Sequence, residues 1–127
     1  MYDKENLVAD PSAVTPGEPL GAPAIPRVEN IHKTVYAAVS QPKALDMGTW
    51  HRCETTHCRA GWVVALAGEA GKRLEAFHNT ALAAQLIYAE SGYEINPSRF
   101  FDSNANALAD MKRLAEQRSV GDGEAKQ

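Results

Sequence analysis

The chain has 127 residues and a formal net charge of −3, and this length predicts one domain. Its basic residues are scattered, and no apolar run approaches the roughly 20 residues of a membrane span, so neither nucleic acid nor a membrane is expected as a partner. Two cysteines without a secretory signal indicate a soluble protein of the cytoplasm, where thiols stay reduced.

The first 26 residues contain five of the seven prolines and no periodic apolar pattern. Such a segment buries too little apolar surface to offset its ordering entropy, which predicts an extended or disordered proline-rich arm. An arm that wraps a partner is the alternative. We expect a helical domain over residues 27–118 and a disordered tail over residues 119–127.

The first helical pattern follows the arm. Val28, Ile31, Val35 and Val39 share one helical face, which predicts a helix that begins at Val28. Pro42 ends it, because the residue before a proline is driven out of the α region.

A second helix is predicted from about His57 to Ala67. Cys58 and Trp62 recur four residues apart within it, and Thr55 or Thr56 is a suitable N-cap. Gly68 is expected to end this helix. A short turn over residues 69–71 and then a helical turn containing Leu74 and Phe77 are expected after it.

Two further helices complete the pattern. Asn79 or Thr80 is expected to cap the third helix, whose wide apolar stripe has one row of Leu82, Leu86 and Ala89 and an adjacent row of Ala83 and Ile87. Ser103 is expected to cap the last one, whose aligned apolar residues are Leu108, Met111, Ala115, Ala107 and Leu114. Phe100 and Phe101 are expected to pack against the core. No strand pattern competes, so the predicted fold is all-α, an irregular or orthogonal bundle of about four principal helices.

The chemistry is concentrated in residues 50–66, WHRCETTHCRAGWVVAL, which hold both cysteines, two of the four histidines and both tryptophans. Cys58 lies near the predicted helix N-terminus, where the free N–H groups favour a thiolate. If the chain is an enzyme, Cys58 is the candidate nucleophile and His78 a candidate base. The preferred interpretation is that Cys58 is a small buried apolar residue.

The same stretch raises the question of zinc. His51, Cys53, His57 and Cys58 are side chains that zinc prefers, but the spacing H-x-C-x3-H-C fits no standard site. Zinc is therefore an open alternative, no cofactor is favoured, and a Cys53–Cys58 disulfide is a third option.

The remaining hypothesis for this stretch is a binding surface. Tryptophan at these positions is typical of a core, yet it also serves as a ligand platform, and Arg59 near a helix N-terminus favours an anionic group. The candidate binding residues are Trp50, His51, Cys53, His57, Arg59 and Trp62.

The pattern W-H-x-C-x-T-T-H-C-R-A-G-W resembles a group of uncharacterised bacterial and bacteriophage proteins, and the resemblance extends over residues 45–115. It implies a phage or prophage setting without implying a reaction. We therefore predict a small helical interaction protein that binds a protein partner, such as a host protein, in the host cytoplasm, or that forms a homo-oligomer. The alternative is a thiol-dependent or zinc-dependent enzyme centred on Cys58.

Overall fold

The computed structural model describes residues 23–117, which form five α-helices, a short β-hairpin and one 3₁₀ helix. In chain order these are α1 (Ile31–Val39), β1 (His51–Cys53), β2 (Thr56–His57), α2 (Arg59–Leu66), α3 (Gly68–Phe77), α4 (Thr80–Glu90), the 3₁₀ helix (Pro97–Phe101) and α5 (Asn104–Glu116). Among these residues no helix is long and apolar enough to cross a membrane.

The prediction of a mainly helical domain is confirmed, but two details are corrected. The described residues contain five α-helices where about four were predicted. They also contain a two-stranded antiparallel hairpin, whereas the prediction had no strands. The hairpin was missed because β1 and β2 have three and two residues, too few for an alternating pattern. Most of the predicted arm (residues 1–22) and the predicted tail lie outside the described residues.

Local capping determines where α4 and α5 begin. Asn79 precedes α4 and its side-chain oxygen accepts from the backbone N–H of Leu82 at 2.8 Å, as predicted. Ser103 does the same for α5, accepting from the N–H of Asn106 at 3.1 Å. Each cap satisfies an N–H group that lacks a partner within its helix.

The start of α1 differs from the sequence prediction. The helix begins at Ile31 because Asn30 adopts a left-handed conformation with φ of 49°, which interrupts the helical pattern at Val28. Val28 is nevertheless buried, and its N–H donates to the hydroxyl of Ser91 at 2.9 Å. The apolar periodicity therefore identified a buried residue correctly but assigned it to the wrong element.

The bounds of α2 and α3 also differ from the prediction. Thr56 and His57 lie in β2, so α2 begins at Arg59 and neither Thr55 nor Thr56 caps it. Gly68, with φ of 71°, ends α2 as expected, but α3 follows at once where a turn was predicted. Ala67 alone therefore separates the two helices.

The core is formed by all five helices, with α2 contacting α1, α3 and α4, while α5 packs on α1. The core face of α4 consists of Ala83, Ala84, Ile87 and Tyr88. Of the two rows predicted for this helix, that of Ala83 and Ile87 is buried, whereas Leu82 is 38% exposed and Ala89 is exposed. Its apolar stripe is wide enough to hold two rows, so periodicity alone did not select the buried one.

Two more residues that were predicted to pack against the core are exposed. Phe100 is buried as expected, whereas Phe101 is 71% exposed. The two side chains leave the 3₁₀ helix in different directions, since successive residues are about 120° apart in a helix with three residues per turn. Leu108 is 38% exposed, whereas the other apolar residues predicted for α5 are buried: Ala107, Met111, Leu114 and Ala115.

The hairpin packs on α2 at Gly61. A Cβ atom at this position would collide with the carbonyl oxygen of Trp50 and lie 3.1 Å from His51 Nδ1. The carbonyl oxygen of Trp50 also accepts from the N–H of Cys58 at 3.2 Å, so it is held in place. Glycine is therefore required here for the close approach of the hairpin to the helix.

We predict that Gly61→Ala lowers the free energy of unfolding by more than about 2 kcal/mol, because the added methyl group meets backbone that is fixed by hydrogen bonds. Chemical denaturation measures the loss. Gly48→Ala is the control, since its added methyl group would lie 3.2 Å from Oδ1 of Asp46, a side chain that can move. Equal losses in the two variants would contradict this account of Gly61.

Candidate functional site

Arg59 lies fully buried at the centre of the domain, whereas the sequence suggested an exposed residue that could meet an anion. Its Nη1 donates to Oδ2 of Asp110 at 2.8 Å, and its Nε donates to the hydroxyl of Tyr88 at 2.9 Å. The guanidinium group thus joins α2, α4 and α5. In this position the Arg59 side chain is inaccessible to a ligand at the surface.

The carboxylate of Asp110 is the counter-charge of this arginine. Burial alone would raise the pKa of Asp110, but hydrogen bonds from Arg113 and Arg59 and the charge of Arg99 outweigh burial and hold the pKa below its usual value. A folded-state pKa below the unfolded one means that the ionised group stabilises the fold at neutral pH. That contribution is lost as the pH falls through the folded-state value.

The histidines of the hairpin, which the sequence nominated for binding or for zinc, are brought together. His57 Nε2 lies 2.9 Å from the carbonyl oxygen of Glu54, which can only accept, so Nε2 carries the hydrogen. His57 Nδ1 lies 2.7 Å from His51 Nδ1, within hydrogen-bond distance. His51 Nε2 lies 2.6 Å from Glu75 Oε2, which also accepts from Thr80 at 2.6 Å.

These contacts form a continuous chain of hydrogen bonds from the carbonyl oxygen of Glu54 through His57 and His51 to Glu75. The side chain of Glu75 is 23% exposed, so its contact with His51 is partly shielded from solvent. It ties the hairpin to α3, and sequence analysis missed Glu75 because no local signal links it to residue 51.

The two cysteines do not join the two histidines in a cluster that could hold a metal ion, within the described residues. Cys58 is buried and caps α2, with its sulfur accepting from the N–H of Gly61 at 3.3 Å. Cys53 is exposed on the hairpin, and both thiols are free. No group of three or more potential metal ligands converges within residues 23–117. His51 and His57 are therefore the two members of the predicted zinc set that are in contact.

Cys58 and His78, the candidate nucleophile and base, do not form a hydrogen-bonded pair in the described residues either. Burial raises the pKa of the Cys58 thiol, and this outweighs the hydrogen bonds from the N–H groups of Gly61 and Ala60 that favour the thiolate. His78 is exposed at the end of α3, where its ring packs against Phe77 at 4.8 Å. Within the described part of the chain no hydrogen bond links Cys58 to His78.

The more reactive thiol is Cys53. Hydrogen bonds from the Thr55 hydroxyl, which lies 3.5 Å from the sulfur, and from Thr56 lower the pKa of Cys53 to about 7. The side chain is exposed, so reagents reach it freely. Sequence analysis favoured Cys58 for thiol chemistry, but exposure and hydrogen bonding give that character to Cys53.

The tryptophans have different environments. Trp62 is half-buried, its Nε1 donates to the carbonyl oxygen of Ala44 at 2.7 Å, and its ring packs edge-on with His57 at 4.7 Å. Trp50 is 39% exposed and its ring lies 5.9 Å from that of Phe101 in an edge-to-face arrangement. Phe101 therefore joins the candidate binding residues, although the sequence assigned it to the core.

Comparison of the chain with known protein families, with curated proteins and with solved structures found no match.

We predict that iodoacetamide modifies Cys53 selectively in the native protein at pH 7.5, since its pKa is about 7 and it is exposed. Cys58 should stay unmodified until the protein is unfolded, because it is buried and its pKa is raised. Mass spectrometry of tryptic peptides locates the label, and Cys53→Ser is the control. Faster alkylation of native Cys58 would contradict the assignment and revive its role as a nucleophile.

Proposed function

We propose that this chain is a small protein-interaction module and that Trp50 and Phe101 form the centre of its binding surface. The observation that carries the proposal is the pair of exposed aromatic rings, 39% and 71% accessible, in edge-to-face contact at 5.9 Å. Aromatic side chains supply much of the binding energy at protein interfaces, and tryptophan is enriched among the residues that matter most.

The shape of this surface favours a protein over a small molecule. Small ligands bind in concave sites that enclose most of their surface. Neither ring lines the groove of about 490 Å³ between α1 and α5 or the cleft of about 260 Å³ beside Asp110. An exposed aromatic pair outside a cavity suits a partner that brings its own complementary surface.

The pair is also held by rigid neighbours, which reduces the entropy lost on binding. Trp50 immediately precedes the hairpin, and its carbonyl oxygen is fixed by the N–H of Cys58. Phe101 ends the 3₁₀ helix, whose start is capped by the side chain of Asn96 accepting from Ser98 at 3.0 Å. The binding surface is therefore arranged before a partner arrives.

The nature of the partner is part of the proposal. The motif in residues 50–62 resembles bacterial and bacteriophage proteins, which supports a partner among bacterial host proteins. Arg52 and Asp46, an ion pair with 2.9 Å between Nη1 and Oδ2, lie on and beside the hairpin and supply charges for orienting that partner. A second copy of the chain is the competing occupant of the same surface.

We predict that Phe101→Ser weakens binding of the partner by at least about tenfold while changing the free energy of unfolding by less than about 0.5 kcal/mol. Immobilised wild-type protein captures the partner from a bacterial lysate, and titration with the purified partner gives the affinities. Phe77→Ser is the matched control, because Phe77 is a 48% exposed phenylalanine on α3.

The outcomes separate the alternatives. A partner that binds wild type and Phe77→Ser but not Phe101→Ser supports the proposed surface. Equal binding by all three proteins contradicts it, and so does the absence of any captured protein that distinguishes them. A wild-type dimer in sedimentation that becomes a monomer in Phe101→Ser would identify a second copy as the occupant.

A further inference from the structure

A second surface feature lies apart from the aromatic pair. A cleft of about 260 Å³ is formed where the 3₁₀ helix meets α5, and its lining includes two arginines and an amide. The residues that line it are Arg99, Asn106, Ala109, Asp110 and Arg113. A volume of this size suits a small polar group more closely than a drug-sized ligand.

Three guanidinium groups converge on the one carboxylate in this cleft. Oδ1 of Asp110 accepts from Arg113 and lies 3.5 Å from Nη2 of Arg99, while Oδ2 accepts from buried Arg59 at 2.8 Å. The side chains of Arg99 and Arg113 are 42% and 53% exposed, so both guanidinium groups are accessible from solvent. One carboxylate cannot satisfy the donors of three such groups.

The net charge of this cluster also favours a negatively charged ligand. Arg99 also pairs with Asp102 at 3.1 Å, and three guanidinium groups against two carboxylates leave one net positive charge. Within residues 23–117, Nη2 of Arg59 is buried without a hydrogen-bond acceptor. The cluster thus has an excess both of positive charge and of N–H donors.

Tyr93 offers one hydroxyl acceptor to Arg113, and two further groups that face this cluster, His32 and Tyr88, do not remove the excess. Burial lowers the pKa of His32, and the charge of Arg59 lowers it further, although Asp110 opposes both effects. Burial raises the pKa of Tyr88 although Arg59 opposes it, so its hydroxyl stays neutral. Neither residue supplies a negative charge.

We propose that this cleft binds an oxyanion, the carboxylate or phosphate group of a ligand, through Arg99 and Arg113. The forked guanidinium group matches the geometry of both anions and donates two parallel hydrogen bonds to either. Asn106 also lines the cleft, and its side-chain NH₂ group can donate a hydrogen bond to an anion. This inference does not depend on the protein-interaction proposal, because the cleft and the aromatic pair share no residue.

The test is a pair of NMR titrations of the full chain, one with sodium phosphate and one with sodium acetate, with sodium chloride holding the ionic strength constant. Saturable shifts of the N–H signals of Asn106, Asp110 and the arginine side chains are expected with at least one anion, below about 50 mM. The anion that saturates identifies which source of oxyanion the cleft accepts. No saturation with either anion in wild-type protein overturns the proposal.

Variants then locate the site. Arg99→Gln and Arg113→Gln should each weaken binding by about tenfold, which corresponds to the loss of a charged hydrogen bond. Both should stay folded, because Arg59 still neutralises Asp110 in each, and thermal unfolding verifies this. Lys112→Gln is the matched control, since Lys112 is a neighbouring exposed cation that pairs only with Glu116 among the described residues. Unchanged affinity in both arginine variants overturns the proposed site.

Discussion

The buried ion pair of Arg59 and Asp110 is the interaction on which the rest of this domain depends. Taking both charges out of water is costly, and the cost is offset because the guanidinium group also bonds Tyr88 and the carboxylate also accepts from Arg113. These contacts join three helices that are remote in sequence. They also explain why a charged residue lies within the most apolar part of the central motif, immediately after Cys58.

The position of Arg59 fixes the geometry of the motif around it. With its side chain directed into the core, the first turn of α2 is anchored, Cys58 caps that turn, and Gly61 faces the hairpin. The hairpin then brings His51 to Glu75 and directs Trp50 towards solvent beside Phe101. Of the residues that the sequence offered as a metal or thiol site, Cys58 caps α2 and His57 packs against Trp62, whereas Cys53 is exposed on the hairpin.

Local signals in the sequence were sufficient for part of this structure. Asn79 and Ser103 were identified as caps because capping involves residues that are three positions apart, and the burial of Cys58 followed from its apolar neighbours. Arg59 and Asp110 are 51 residues apart in the chain, so no periodic pattern in the sequence indicates that they pair. One signal was available, since Asp110 lies on the apolar face of α5 and a buried acid requires a buried base. Of the candidate surface, Trp50 was named from the sequence, but Phe101 was assigned to the core. The exposure of Phe101 depends on tertiary packing, which local patterns do not determine.

The unfolding free energy of Asp110→Asn at pH 7 tests the central claim most directly, because the amide keeps the shape of the carboxylate and removes its charge. The account predicts a loss of about 3–5 kcal/mol, since Arg59 would remain buried without a counter-charge. Asp102→Asn, which removes a more exposed partner of Arg99, should cost less than about 1 kcal/mol. A loss for Asp110→Asn as small as that for Asp102→Asn would contradict the central role of the buried pair.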